Sequence, residues 1–355
     1  MASLKPIEFG VFMPVANNGW LMSTTAPQYM PTWKLLSRIG MLAEDVGFHY
    51  LFSMGKWRGL GGETKFWNYS VEPLTLTSAL ATVTSKVRLV ASVSPILIHP
   101  AVFSKMAVTV DDVAEGRLSI NIVTADDEYG QMGLYPEDFH PHRYDYYEEW
   151  LAVAKRLWSE ERVTFKGEYF TLDDCMSGPK PVQQPHPRIV CAVSSDRGFQ
   201  FVAERCDEAF FGGTSVAAKK AGCEKARAAS RKSGRPIKTQ TLTHVVQGAT
   251  DAEAEAMMQH FRDGADHEAI ANVGFGGPEQ RPFYGGVPLV GGPEKIVDYM
   301  AELAIDGDID GVLVTFPDFI DGLEKFRDGI IPLLASRGLE LAPRVSTEAA
   351  PSIVV

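Results

Sequence analysis

The chain has 355 residues, 45% of them apolar and 22% charged, with a formal charge of −11. That length buries a substantial core, as one large α/β domain or two smaller ones, and the acidic balance argues against nucleic-acid binding, which needs clustered Lys and Arg. The four cysteines, Cys175, Cys191, Cys206 and Cys223, form no C-x-x-C pair; neither a disulfide framework nor a metal site is expected, and a reducing cytoplasm is the better setting. No signal segment or bilayer-length apolar run is seen, so no membrane association is expected.

In chain order, short apolar and β-branched runs predict strands at Phe9–Pro14, Tyr50–Met54, Val87–Ser94, Leu118–Thr124, Arg188–Ser194, Glu208–Gly212, Thr241–Gln247 and Gly311–Phe316. Such runs suit parallel strands buried on both faces. Amphipathic stretches separate them: Trp33, Leu36, Ile39, Ala43 and Val46 share one helical face, as do Tyr144, Tyr147, Leu151, Ala154 and Leu157. Eight strands with mostly helical crossovers predict an α/β fold, a (β/α)8 TIM barrel with insertions. It is read as a single domain over 1–340, with insertions near 56–70 and 213–290, the Gly- and Pro-rich part of the second being a candidate lid, and a flexible tail over 341–355.

In such a barrel the active site lies at the C-terminal ends of the strands. After the first strand, Asn17 to Thr32 (NNGWLMSTTAPQYMPT) is rich in donors and aromatic faces and suits a flat polar ligand, with Asn17 and Trp20 foremost; equally, its polar groups can satisfy local backbone. Asn121, in the apolar run LSINIVT, must find a partner: a ring edge or substrate carbonyl on one reading, a buried structural hydrogen bond on the other. Ser92 presents the same choice. Glu128 follows the fourth strand beside Asp126 and Asp127, where one carboxylate can accept an N–H from an imide-like ring, although such clusters are commonly solvated. Ser195, at a strand-to-helix junction, can help bind a phosphate or simply cap its helix; Arg143-Tyr144 opens another helix and can add charge and an O–H.

Five segments carry a resemblance beyond spacing: the Asn17–Thr32 loop, FSMGKWRGLGGETKFW (Phe52–Trp67), RYDY (Arg143–Tyr146), FKGEYFTLDDC (Phe165–Cys175) and GVLVTFPDF (Gly311–Phe319). Together they resemble the flavin-dependent pyrimidine monooxygenases of the bacterial-luciferase-like family, which open the uracil ring. The resemblance implies a TIM barrel that uses O2 and reduced FMN supplied by a separate NAD(P)H:flavin reductase. It implies FMN contacts at Gly55, Lys56, Asn121, Glu128, Arg143, Tyr144 and Ser195, and an oxygen pocket at Ser92 and Phe52. It implies attack on a ring carbonyl by a flavin peroxide, formed at N5 rather than C4a, with cleavage of a C–N bond. Asn121, Ser92 and Glu128 would flank the reacting edge, with Lys56 and Asn17 orienting substrate.

The chain departs from that pattern at Ala125-Asp126, where the pyrimidine enzymes carry Gly-Trp and a longer loop, and at Gly55, which replaces a bulkier apolar residue. A reshaped pocket including Asp126 is therefore expected, and with it a pyrimidine- or pyridine-type ring or another cyclic amide as substrate. Competing readings on the same barrel are a sulfur-compound monooxygenase, a deazaflavin-dependent oxidoreductase and a non-catalytic flavin-binding barrel. By analogy a homo-oligomer is expected.

Overall fold

A computed structural model describes residues 4–123, 127–134, 139–274 and 282–344. Its strands are β1 Lys5–Phe12, β2 Tyr50–Ser53, β3 Arg88–Val93, β4 Leu118–Ile122, β5 Arg162–Lys166, β6 Thr171–Met176, β7 Arg188–Ala192, β8 Glu208–Phe211, β9 Lys238–Gln247, β10 Leu289–Gly291, β11 Gly311–Thr315 and β12 Leu339–Leu341. Eight of them, in the order β1-β2-β3-β4-β7-β8-β9-β11, pair in parallel and close on themselves through β11 and β1. Each contains or overlaps one of the eight predicted runs, so the TIM barrel is confirmed. The remaining strands are accessory: β5 and β6 form an antiparallel hairpin, β10 extends the end of β9, and β12 pairs with the start of β1.

Helices α1 Trp33–Val46, α2 Pro73–Ala81, α3 Pro100–Val113, α4 Phe139–Ser159, α5 Asp196–Arg205 and α6 Val216–Ser233 fill the first six crossovers. α7 Asp251–Asp263, α8 His267–Val273 and α9 Pro293–Ala301 lie between β9 and β11, and α10 Phe319–Lys325 follows β11. Their starts are written locally. Thr32, Glu72, Ser195, Ser215 and Thr250 each accept a first-turn N–H through a side-chain oxygen, satisfying donors that a helix start leaves free.

Two boundaries differ from the sequence reading. The 213–290 region begins as an ordinary barrel unit, α6 and β9, and only the stretch after β9 is an excursion. The chain beyond Leu341 also stays in register: the Ala342 N–H donates to the Ile7 carbonyl at 3.0 Å, and the Ala342 carbonyl sits 2.7 Å from His49 Nε2. Residues 345–355 lie outside the described residues.

The barrel interior is layered. At the N-terminal end, Glu8 and the fully buried Glu208 flank the Arg88 guanidinium, each at 2.7 Å. Towards the C-terminal end an aromatic floor takes over: Phe12, Phe52 and Phe210 pack with ring centroids 5.1 to 5.7 Å apart.

Candidate active site

Three distant segments knit a roof over the C-terminal mouth. Asn18, in the left-handed conformation (φ 62°), donates to the Thr64 carbonyl at 2.9 Å and accepts from the Tyr29 N–H. The Trp67 indole N–H donates to the Gly19 carbonyl at 2.5 Å. Asp266 accepts both the N–H (2.8 Å) and the O–H (2.7 Å) of Thr64 and caps α8 through the Ala269 N–H. Burial acts to raise the Asp266 pKa, but these donors outweigh it and hold the carboxyl below its ordinary value. Gly62 completes the joint. Its φ is +73°, and a Cβ there would lie 2.3 Å from Asp266 Oδ1, so both backbone and space require glycine. The Met22 N–H bonds the Pro282 carbonyl and the Tyr284 N–H bonds the Trp20 carbonyl, joining the first loop to the 282–286 segment.

Below these loops Phe52, Ser92 and Asn121 lie on the neighbouring strands β2, β3 and β4. Ser92 and Asn121 are register partners on β3 and β4, and the Asn121 amide donates to Ser92 Oγ at 2.9 Å. Asn121 is 3% exposed, and its Oδ1 is buried with no partner among the described residues. A buried acceptor left without a partner costs about 1–3 kcal/mol, and a ligand N–H would satisfy it. Gly55 lies beside this pair: a Cβ there would come no nearer than 3.6 Å to Trp57 Nε1 and 3.9 Å to the Ser92 Cβ, ordinary contacts that leave room. Lys56 Nζ lies 5.1 Å from the centroid of the Trp67 ring.

A second group gathers at the start of α5. Ser195 Oγ accepts the Gly198 N–H at 3.1 Å, so it does act as the helix cap. The Tyr144 hydroxyl lies over the same turn, 2.7 Å from where a Cβ on Gly198 would sit. The guanidiniums of Arg143 and Arg197 lie 4.8 and 5.5 Å from the Tyr144 ring centroid. Arg197 is neutralised by Glu148 at 2.7 Å and Asp145 at 3.5 Å, whereas Arg143 Nε is buried without a partner among the described residues. Arg143 Nη1 donates to the His140 carbonyl and lies 3.1 Å from His140 Nδ1, and a helix N-terminus beside a guanidinium and a phenol suits a phosphate. One group offers a buried acceptor and the other an anion-binding helix start.

Other candidates are differently placed. The Asn17 amide donates to the Thr64 and Lys65 carbonyls and accepts the Tyr69 N–H, bonds that fasten two loops together. The Trp20 indole N–H is engaged by the Phe12 carbonyl at 3.3 Å, leaving its ring face, 4.2 Å from Phe12, as its contribution. The Glu128 backbone lies in the short helix Asp127–Met132 directly after β4, while its side chain and the whole of Asp126 lie outside the described residues.

Sequence reasoning missed His244, which is fully buried and has Nδ1 2.7 Å from Thr315 Oγ1. A polar residue two steps beyond Leu242 on an inward-facing strand face was the available signal.

The sequence matches the family model for luciferase-like monooxygenases over residues 7–304. It is 39% identical to the pyrimidine monooxygenase RutA of Stutzerimonas stutzeri, covering 93% of this chain and 97% of that protein. It is 40% identical to RutA of Caulobacter vibrioides, covering 93% and 99%. Among solved structures, riboflavin lyase with modified FMN and riboflavin superposes with a TM-score of 0.84 at 20% identity, over 97% of this chain and 94% of that one. The long-chain alkane monooxygenase LadA gives 0.79 at 20% identity, over 97% and 93%.

Proposed function

Because this chain belongs to the luciferase-like monooxygenase family, we propose that it uses reduced FMN and O2 to cleave a C–N bond of a nitrogen heterocycle, a pyrimidine, a pyridone-type ring or another cyclic amide. The observation that carries this reading is the buried Ser92–Asn121 pair near the C-terminal end of β3 and β4, whose carbonyl has no partner among the described residues. Relatives at about 40% identity named as pyrimidine monooxygenases support the substrate class.

Reduced flavin, when bound, supplies the electrons that activate oxygen. The chain's own part is binding, orientation and exclusion of water. Arg143, Tyr144 and the first turn of α5 would hold the phosphate. Asn121 Oδ1 would accept an N–H of the flavin ring, and Ser92, fixed by the Asn121 amide, would border the space for oxygen on Phe52. The roof excludes bulk water, which strengthens every polar contact beneath it. Attack at a ring carbonyl builds negative charge on its oxygen, so an oriented donor there lowers the barrier. Cleavage would leave the O2-derived oxygen bonded to the former carbonyl carbon in place of nitrogen, and the departing ring nitrogen would take up a proton to become an N–H. The reading includes a separate NAD(P)H:flavin reductase, a homo-oligomeric assembly and a cytoplasmic setting.

The test is an aerobic assay with FMN, NADH and a generic flavin reductase against uracil, thymine, pyridine and hydroxypyridines, read by mass spectrometry. We expect an oxygen-dependent, ring-opened product from at least one carbonyl-bearing ring. No product from any of them, with FMN bound, would overturn the reading and favour a sulfur substrate or a non-catalytic barrel.

A further inference from the structure

The barrel mouth holds a second hydrogen-bonded polar pair, opposite the first. Register partners on neighbouring strands point to the same side of a sheet, and alternate residues share a face. Phe210 of the interior aromatic floor is in register with Gln240 on β9, and two steps of two along β9 place His244 on the same inner face, in register with Thr315 of β11. In the closed ring, β1 and β2 on one side and β7 and β8 on the other separate β9–β11 from β3–β4. The His244–Thr315 pair therefore stands across the mouth from Ser92–Asn121.

Each pair leaves one buried atom unmet among the described residues. On the first it is Asn121 Oδ1. On the second it is His244 Nε2, which lacks a partner of normal hydrogen-bond geometry, although the Tyr284 carbonyl approaches it. Burial, reinforced by the charge of Lys219, pushes the imidazole pKa down to about 3, so the ring is neutral in use and one nitrogen donates while the other accepts. Hydrogen-bond accounting selects the tautomer. If Nδ1–H donated to Thr315, both the Thr315 hydroxyl proton and the Nε2 lone pair would go unmet. If the Thr315 hydroxyl donates to Nδ1, only Nε2–H is left. The second arrangement strands fewer groups, and it makes Nε2 a donor. Trp20 and Phe283 flank the ring at centroid distances of 6.1 and 5.0 Å. A Cβ on Gly286 would fall 3.3 Å from Nε2, so any side chain at that position would crowd the donor.

We propose that His244 Nε2–H, set by Thr315, is the donor that binds a carbonyl oxygen of the ring substrate, facing the flavin-side acceptor Asn121 across the barrel mouth. The assignment takes its substrate class, a cyclic amide, from the function proposed above and adds the residue that recognises it. A ring lacking any acceptor would leave this donor unpaired in a buried site, and such a mismatch discriminates strongly.

Calorimetry on the FMN-loaded protein tests this with uracil and 2-hydroxypyridine as carbonyl-bearing probes and benzene as the probe with neither a carbonyl nor a ring-nitrogen acceptor. His244→Phe keeps an aromatic ring and removes the donor; we expect about tenfold weaker binding of the carbonyl probes, unchanged benzene binding, and FMN affinity within about twofold of wild type. His244→Gln, whose amide N–H reaches the Nε2 position, should restore carbonyl binding to within about threefold. Thr315→Val, which releases the tautomer without touching the imidazole, should fall between them and serves if His244→Phe does not fold. Equal binding of uracil and 2-hydroxypyridine by wild type, His244→Phe and Thr315→Val would overturn the assignment. Wild-type protein that binds a carbonyl probe in this His244-dependent way, yet opens no ring, would overturn the proposed reaction and leave the assignment standing. Wild-type protein that binds none of the probes would overturn both.

Discussion

Asn121 combines one made and one unmade hydrogen bond, and the role proposed for it rests on the unmade one. Its amide is fixed by Ser92 at 2.9 Å, so its carbonyl points in a set direction before any ligand arrives. Asn121→Ala removes that oriented acceptor from a buried site. We expect turnover to fall about 10²-fold, in the range seen for loss of one preorganised polar group, with far-UV circular dichroism unchanged; turnover at the wild-type rate would reject the role. Lys219 poses a different residue-scale question. It is 2% exposed and, among the described residues, bonds the neutral Thr243 Oγ1 (2.9 Å) and Tyr299 hydroxyl (2.8 Å), and burial brings its pKa down to about 7. Unfolding returns it to its ordinary value near 10.5, so between those values the unfolded chain binds the extra proton and this group makes stability rise with pH. Thermal melts from pH 7 to 9 should show that rise in wild type and a flatter slope in Lys219→Met. Identical slopes would mean the ammonium is not desolvated as the fold implies.

At the scale of elements, the roof depends on Asp266, which joins the 56–70 insertion to the excursion after β9 through Thr64 while capping α8. Asp266→Ala leaves two Thr64 donors and one helix N–H unmet, and we expect a loss of about 1–3 kcal/mol. It should be localised: faster hydrogen exchange in residues 59–69 and 264–274, little change in the barrel strands, and more reduced flavin oxidised without product. A uniform rise in exchange would show that the roof is not a separate unit. Because the folded Asp266 titrates below its ordinary value of 3.8, its contribution is complete above that pH and is lost as pH falls further. The eight strands were legible because their apolar runs have no other stable place than a sheet covered on both faces. β9 begins at Lys238, ahead of the expected Thr241, because its polar first residues find charged partners, Lys238 on Glu8 and Gln240 on Glu208. Nor was Asn17 readable, since the backbone that occupies its amide lies about fifty residues further on.

At the scale of the whole molecule, the barrel divides labour between its ends. The aromatic and amide-lined C-terminal end carries the candidate chemistry, while charges at the other end help hold the strands in one ring. Motifs at the mouth were legible because strand ends follow strands. The His244–Thr315 pair was not, because it depends on the facing parity of two strands 71 residues apart, and no local pattern encodes that relation. The same long-range pairing governs the N-terminal end. Arg88 on β3 reaches Glu8 on β1 and Glu208 on β8 at 2.7 Å each, and Glu208 also receives Arg188 of β7 at 3.1 Å. Burial opposes ionisation of Glu8, yet Arg88 and Lys238 together hold its pKa below the ordinary value. Arg88→Met would leave Glu208 with Arg188 and Gln240, and Glu8 with Lys238, so neither carboxylate is wholly abandoned. The expected cost is therefore about 3 kcal/mol, the lower end for breaking a buried ion pair, read as a lower urea midpoint with an unchanged m-value. Because these charges lie at the far end of the strands from Ser92 and Asn121, turnover per folded molecule should hold at 25 °C. Glu208→Gln added to Arg88→Met removes one of the carboxylates that lost its partner and should recover part of the stability. If the double variant is no more stable than Arg88→Met alone, the loss comes from the missing packing of the Arg88 guanidinium over the Tyr50 ring rather than from uncompensated charge.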